Sequence, residues 1–397
     1  MNGHVAVVDL GYGDAGKGTV VDHLCSRGGV RAVLRFNGGA QAAHNVTTET
    51  GRHHTFAQFG SGTLRGVPTH LTRFTVVDPL ALAGEAAALG KPFHLLTVDG
   101  NALLATPWHR AANRRRETGR GADRHGSCGM GVGETMAYAQ THPDAPRVGD
   151  VLSPPRLRQR LAAVRAALGD CGVPIDDVVD AFTLFGETVR IVGASYTEQL
   201  LAEGPCVFEG AQGVLLDEWR GWHPYTTWST TTFDNVTALG AEVTRLGVVR
   251  TYTTRHGAGP FVTEDPSLHL PERHNGRDPW QGPFRTGHFD AVAHRYAVEV
   301  AGGVDALAVT HLDVPDRCPD LRIADSYRIG DEVWDRIEPG PFRDLEHQEA
   351  LGARLAVARP DRMTRPDDWC EAIAARLGAP VLLESYGPLS SDKKLRG

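Results

Sequence analysis

Paired cysteines, long apolar runs and an excess of positive charge are all missing from this chain. The six cysteines (Cys25, Cys128, Cys171, Cys206, Cys318 and Cys370) are scattered with no CxxC spacing. That excludes a zinc-ligand pattern and a disulfide framework, and it fits a reducing compartment. No apolar run reaches membrane-spanning length, and no signal-peptide pattern precedes the first apolar stretch, so a cytoplasmic protein without a membrane contact is expected. The formal net charge of −7 excludes a general nucleic-acid footprint and leaves only local basic clusters for nucleotide phosphates. The eighteen histidines form no metal-ligand motif; His53 and His54 are the only adjacent pair. What remains is a chain of 397 residues, 41% hydrophobic and 22% charged, the make-up of a globular enzyme. That length suits two or three ordinary domains, or one large α/β domain with insertions.

The densest chemistry lies in Val5 to Val21, VAVVDLGYGDAGKGTVV. A short apolar run reads as a buried strand, a glycine-rich turn follows, and Val20, Val21 and Leu24 then recur at helical spacing. Such a junction suits phosphate: glycines admit a close approach, amides at the helix start point outward, and Lys17 adds a charge. Gly11 to Lys17 matches the GxxxxGK spacing of a Walker loop, but Gly18 stands where that loop needs Ser or Thr for a metal. Asp14 sits inside the turn, where a carboxylate beside phosphate is repelled unless a metal or a proton transfer needs it. By itself the turn also fits a plain glycine-rich bend with a surface lysine.

Further candidates follow along the chain. Ala32 to Phe36 reads as a second buried strand leading into the small-residue loop Asn37 to Ala43 and then His44, an acid–base candidate. Thr106 to Glu117 reads as a basic helix whose arginines form a solvated face. Gly119 to Thr135 is again glycine-rich, as expected of a loop that wraps a ligand or moves. From Pro154 to Thr197 the pattern is mostly helical, with Leu157, Leu161, Val164 and Leu168 on one buried face. The strand at Val207 ends in Glu209-Gly210-Ala211-Gln212-Gly213, which presents an amide able to read a base or hold a carbonyl oxygen. Ala306 to Leu312 reads as a buried strand ending at Asp313.

These segments together resemble the adenylosuccinate synthetase family. GDAGKG is similar to its GDEGKGK turn, VFEGAQGVLLD to FEGAQGxLLD, TYTTRHGAGPFVTE to AYTTRVGaGPFPTE, and LAVTHLDV to LALTKLDVL. RFNGGAQAAH keeps the frame of GGNNAGH, GSCGMGVG that of the GTTGRGIGPAY loop, and ESYGP resembles STGPDR. The resemblance implies an α/β, P-loop NTPase-like fold with a large, mostly parallel central sheet and helices on both faces. It also implies a single domain over 1–397 with loop and helical insertions, a homodimer, GTP as co-substrate and Mg2+ as cofactor.

Residue by residue, the resemblance makes Asp14, Lys17, His44 and Gln212 catalytic. Gly13, Gly16, Lys17, Gly18, His311, Asp313, Ser385 and Gly387 would hold GTP. Gln41, Ser127, Cys128, Gln212 and Thr227 would hold the nucleoside monophosphate, and Asp14 and Ala43 the metal. Thr254, Arg277 and Arg285 would form the amine-donor site. Several positions depart from the family pattern. Gln41 replaces an Asn, Ala43 a Gly, Met130 an Arg, and His311 a Lys. The arginine that reaches the partner subunit has no counterpart, and only Arg285 clearly falls in the family's arginine run. The expected activity is phosphorylation of the 6-oxo group of IMP or an IMP-like nucleotide and displacement by the amine of L-aspartate. The alternatives are another amine or a modified nucleotide in a specialised pathway, or a nucleotide-binding regulator without turnover.

Overall fold

The computed structural model describes residues 3–270, 272, 275 and 280–396, so Arg277 lies outside the described residues. Ten strands form one sheet: β1 His4–Asp9, β2 Ala32–Arg35, β3 Thr69–Leu71, β4 Leu96–Asp99, β5 Arg190–Val192, β6 Cys206–Glu209, β7 Val243–Arg250, β8 Ala306–Thr310, β9 Val381–Ser385 and β10 Lys393–Leu395. Their spatial order is β10-β9-β8-β7-β1-β6-β2-β3-β4-β5. Every pairing is parallel except that of β10 with β9. This is the mostly parallel α/β sheet that the resemblance implied.

Alternation along β1 shows why the sheet is covered on both sides. Val5 and Val7 pack with Val20, Val21 and Leu24 of helix Lys17–Ser26. Ala6 and Val8 face the opposite way, into a core that includes Val292, Ala293 and Tyr296 of helix Ala291–Val300. A strand buried on both faces must be apolar almost throughout, and β1, β2, β6 and β8 are. A third apolar cluster joins helices Pro154–Leu168 and Ile175–Thr188. Leu157, Leu161 and Val164 are fully buried there and Leu168 is partly so, as their spacing predicts.

Parallel strands bring all their carboxyl ends to one edge, where ligands bind in open α/β sheets. The ends of β9, β8, β7, β1, β6 and β2, which are neighbours in that order, run straight into segments 385–387, 311–313, 253–256, 11–16, 210–213 and 37–44. Motifs far apart in sequence are thereby gathered at one rim.

Two histidines in this framework titrate against burial. His109 caps helix Pro107–Arg120 from within, its Nδ1 2.8 Å from Thr106 Oγ1, and burial lowers its pKa to about 3. His70 lies on β3 between Thr97 and Thr197, and burial lowers its pKa to about 4. Between those values and 6.5 the unfolded chain takes up protons that the native state refuses. The stabilising difference is therefore complete above pH 6.5 and is lost as pH falls. Urea titrations from pH 7 to pH 4.5 should show unfolding free energy falling by up to about 1.4 kcal/mol per pH unit for each histidine. His109→Gln should flatten that slope; an equal slope in the variant would refute the assignment.

Candidate functional site

The site is built outward from Asp9, the last residue of β1. Its buried carboxylate accepts the amides of Gly11 and Ala15, both at 2.8 Å, and the Lys17 ammonium at 3.1 Å. One side chain thus folds the turn from 9 to 17 onto itself. Gly13 (φ 91°), Asp14 (φ 61°) and Gly16 (φ 95°) take left-handed backbone within it. No side chain caps helix Lys17–Ser26, so its first amides stay open to an anion. Lys17 also donates to the Gln212 carbonyl at 2.7 Å. Its charge, expected as a bare phosphate contact, is shared with Asp9 behind the turn.

The missing Walker hydroxyl has a steric reason. A Cβ at Gly18 would lie 2.8 Å from the Cβ of His44 and 3.2 Å from the Asn45 carbonyl oxygen. The position is filled by the hairpin that carries His44, strands His44–Thr47 and His53–Phe56. Similarly, a Cβ at Gly213 would lie 2.3 Å from the Gly11 oxygen and 2.4 Å from the Gly13 nitrogen, so the two glycine turns touch backbone to backbone.

His44 is held from behind. Its Nδ1 lies 2.5 Å from Oε1 of Glu209, the last residue of β6. Glu209 is fully buried and also accepts the Ser61 hydroxyl at 2.5 Å and the Ser61 amide at 2.9 Å. Burial raises the Glu209 pKa, but the Arg35 charge and the His44 hydrogen bond outweigh it and set it at about 2. Burial in turn lowers the His44 pKa against the pull of Glu209. The carboxylate takes Nδ1–H and leaves Nε2 as the other ring nitrogen, the arrangement of an oriented acid–base group.

Gln212 follows at φ 57°. Asn37 locks its turn by donating to the Ala211 carbonyl at 3.0 Å and accepting the Ala211 amide at 2.7 Å. The Gln212 Oε1 and both amide atoms of Gln41 are buried without a partner. Buried amides left unsatisfied in a cavity wall are sites that a ligand can complete. Asp14 lies opposite, its Oδ2 3.3 Å from Nε2 of His256. Burial pushes the Asp14 pKa up, but His256, Arg250 and Lys17 outweigh it and hold the carboxyl below its ordinary range.

Among the described residues, Gly13, Asp14, Lys17, Gln41, Ala43, His44, Ser127, Cys128, Gln212 and Thr227 share one cavity of about 510 Å³. Gly16 caps helix Lys17–Ser26 and Gly18 lies in its first turn, neither on that lining. His311, Asp313, Ser385 and Gly387 sit apart from that lining, together at the ends of β8 and β9, where the Leu312 amide donates to the Ser385 carbonyl at 3.0 Å. The His311 ring is engaged by Arg250 Nη2 at 3.0 Å and by Thr310 Oγ1 at 2.9 Å. Thr254 is buried in the hairpin that pairs it with Thr286. Arg285 is committed to Glu264 Oε2 and to the Gly259 carbonyl, both at 2.8 Å.

Some contributors escaped the sequence reading. The basic helix over Thr106 to Glu117 was expected to be a solvated face, yet its Arg116 lines the cavity, paired with Glu134 at 3.1 Å; Arg120, expected in the glycine-rich loop, ends the same helix and lines the cavity too, paired with Glu117. Helical spacing places side chains on a stripe but does not say what faces that stripe. Arg255 lines the cavity too; burial lowers its pKa to about 10, and it donates to the carbonyls of Tyr225, Ala258 and Pro260. Glu209 stood inside a recognised motif, but only the sheet brings it to His44. His256 was visible as a departure, since the family pattern has Val at that place.

A search of protein-family models matches residues 6–355 to the adenylosuccinate synthetase model. An adenylosuccinate synthetase of Alkalilimnicola ehrlichii is 33% identical, with 98% of this chain and 96% of that protein covered. Another, from Synechococcus, is 34% identical over 94% of this chain and 87% of its own length. Among solved structures, the fully ligated adenylosuccinate synthetase of Plasmodium falciparum superposes with a TM-score of 0.85 at 20% identity, covering 99% of this chain and 100% of that one. The succinoaminodeoxyadenylate synthetase of cyanophage S-2L, bound to dGMP and dATP, superposes with a TM-score of 0.63 at 20% identity, covering 100% of this chain and 95% of that one. By that family match and these relatives, the chain belongs to the adenylosuccinate synthetase family of GTP-dependent C–N bond-forming ligases.

Proposed function

We propose that this protein activates the 6-oxo group of IMP, or of an IMP-like nucleotide, with GTP and replaces it with the amine of L-aspartate, releasing GDP and phosphate. The observation that carries this reading is the meeting of Asp14, His44, Lys17 and Gln212 in one cavity, with His44 oriented by buried Glu209.

The chemistry follows from the chain's own groups. Asp14 accepts the ring N–H proton, which leaves the 6-oxygen as nucleophile. That oxygen bonds to the γ-phosphorus as the bond to the β-phosphate oxygen breaks and GDP departs. The amine then bonds to C6, the C6–O bond breaks, phosphate leaves and the nitrogen loses a proton. His44 hydrogen-bonds the transferring phosphoryl group, Lys17 and the open amides of the turn offset its charge, and the Gln212 amide nitrogen donates to the oxo end, leaving its unpartnered Oε1 to accept from the nucleotide. Asp313, at the end of β8, suits the N1–H and amino group of guanine, with Ser385 and Gly387 beside it.

Among the described residues no group of three or more His, Cys, Asp or Glu side chains is placed to hold a metal. A lone carboxylate beside a phosphate turn nevertheless fits Mg2+, which is commonly bound by one or two carboxylates together with substrate phosphates. Asp14 and the Ala43 carbonyl would hold it, and when bound it would neutralise phosphate charge. The family resemblance supports a cytoplasmic homodimer.

A second reading, another amine donor, is favoured by one observation: Arg285 already serves Glu264, so it does not stand open to a dicarboxylate. The cyanophage relative's dGMP and dATP show that one protein of this fold takes other purine nucleotides. A regulator without turnover has no evident use for both Asp14 and an oriented His44.

The first test is GDP release from GTP and Mg2+ with IMP, across a panel of amino acids, with products identified by mass. Turnover with aspartate is expected, and none with any donor would overturn the reading. Asp14→Asn should abolish GDP release while leaving the circular dichroism spectrum unchanged. Glu209→Gln should lower kcat by about 10- to 100-fold, since an oriented acid–base group is worth roughly 10²–10⁴. Its effect on KM should be small, and a variant as fast as the parent would remove Glu209 from the mechanism.

A further inference from the structure

Asp14 stands on a glycine-rich turn, and the contact that fixes its carboxylate comes from another part of the chain. Its Oδ2 lies 3.3 Å from Nε2 of His256. His256 ends strand Thr253–His256, which pairs antiparallel with Phe284–Gly287 and sets Phe284 directly opposite. The Phe284 ring packs on the imidazole with centroids 4.7 Å apart and planes tilted by 59°. The next amide, of Gly257, donates to the Pro283 carbonyl at 2.9 Å. The backbone under His256 is therefore tied on either side of the ring, and both His256 and Asp14 reach the cavity wall. The family pattern has Val at this place, a side chain that can pack but cannot donate a hydrogen bond.

We infer that His256 is a positioning residue for Asp14: Nε2–H donates to Oδ2, leaving Oδ1 to accept the ring proton of the substrate. An unpartnered Asp side chain samples several rotamers even on a fixed turn, and holding one in advance removes that cost from the reaction. The cavity then carries two histidine–carboxylate pairs with opposite duties. At His44 the buried carboxylate of Glu209 orients the imidazole; at Asp14 the imidazole orients the carboxylate. The catalytic meaning of the second pair rests on the proposed reaction, whereas the contact itself does not.

Two measurements test it. In protein labelled with 15N-histidine, the His256 signals are identified by their loss in His256→Gln. Nε2 should be the protonated nitrogen, and its resonance should move in Asp14→Ala. An Nε2 without a proton, or a resonance unmoved by Asp14→Ala, would overturn the pairing. In turnover assays, His256→Val should lower kcat about 10-fold or more with the KM for nucleotide within about twofold. His256→Gln, whose amide nitrogen can fall near the lost Nε2, should recover most of that rate. Equal changes in kcat and KM, or no recovery by Gln, would reduce His256 to a packing residue. Absence of turnover in the parent protein would sink the proposed reaction, and the resonances would still decide the pair.

Discussion

A buried carboxylate at the end of a central strand holds the candidate site together. Asp9 accepts two amides of the turn that follows it and the ammonium of Lys17, and Lys17 passes the link on to the Gln212 carbonyl. Removing either charge would strand the other in a site where Lys17 is 3% exposed and Asp9 1%, a loss that typically costs about 3–5 kcal/mol. The glycine-rich turn, the strand β1 and the turn that carries Gln212 are thus one unit. The backbone contact between Gly213 and the turn at Gly11 and Gly13 completes it. Nothing bulkier fits, so the glycines belong to the assembly as much as to phosphate approach.

Around this unit the sheet distributes the remaining chemistry. β1 lies between β6 and β7, so Glu209 arrives on one side and the hairpin of His256 on the other. β2 delivers His44 across the turn, where it takes the space that a Walker hydroxyl would need. Parallel strands make this economical, because every connection returns to the opposite edge before the next strand begins, and each strand end contributes one loop. The two histidine–carboxylate pairs both join residues from different strand ends. They exist only because the strand order sets those ends side by side.

The sequence was legible where a local rule carries the meaning. The apolar run, glycine turn and helix start of 5–24 announce themselves, because each step has its own period or backbone requirement. The EGAQG turn and the helical face of Leu157, Leu161 and Val164 did so for the same reason. The arginines of helix Pro107–Arg120 show the limit: spacing marks a charged stripe, and only the tertiary structure shows that Arg116 and Arg120, still open to solvent, border the cavity. For Arg285, the type of residue suggested a carboxylate grip, while tertiary contact gives that guanidinium to Glu264.

By itself, then, the sequence determined the class of fold, the strand, glycine-rich turn and helix of 5–24, and the family, since these rest on short-range patterns and motifs that survive as strings. The tertiary structure alone decided which carboxylate serves which histidine, which cations face the cavity and which are already spent. Those are distances between residues separated by 165 positions, as for His44 and Glu209, or by the span from Asp14 to His256. No local preference encodes such a distance. It is set when the hydrophobic burial of a ten-stranded sheet chooses which strand ends become neighbours.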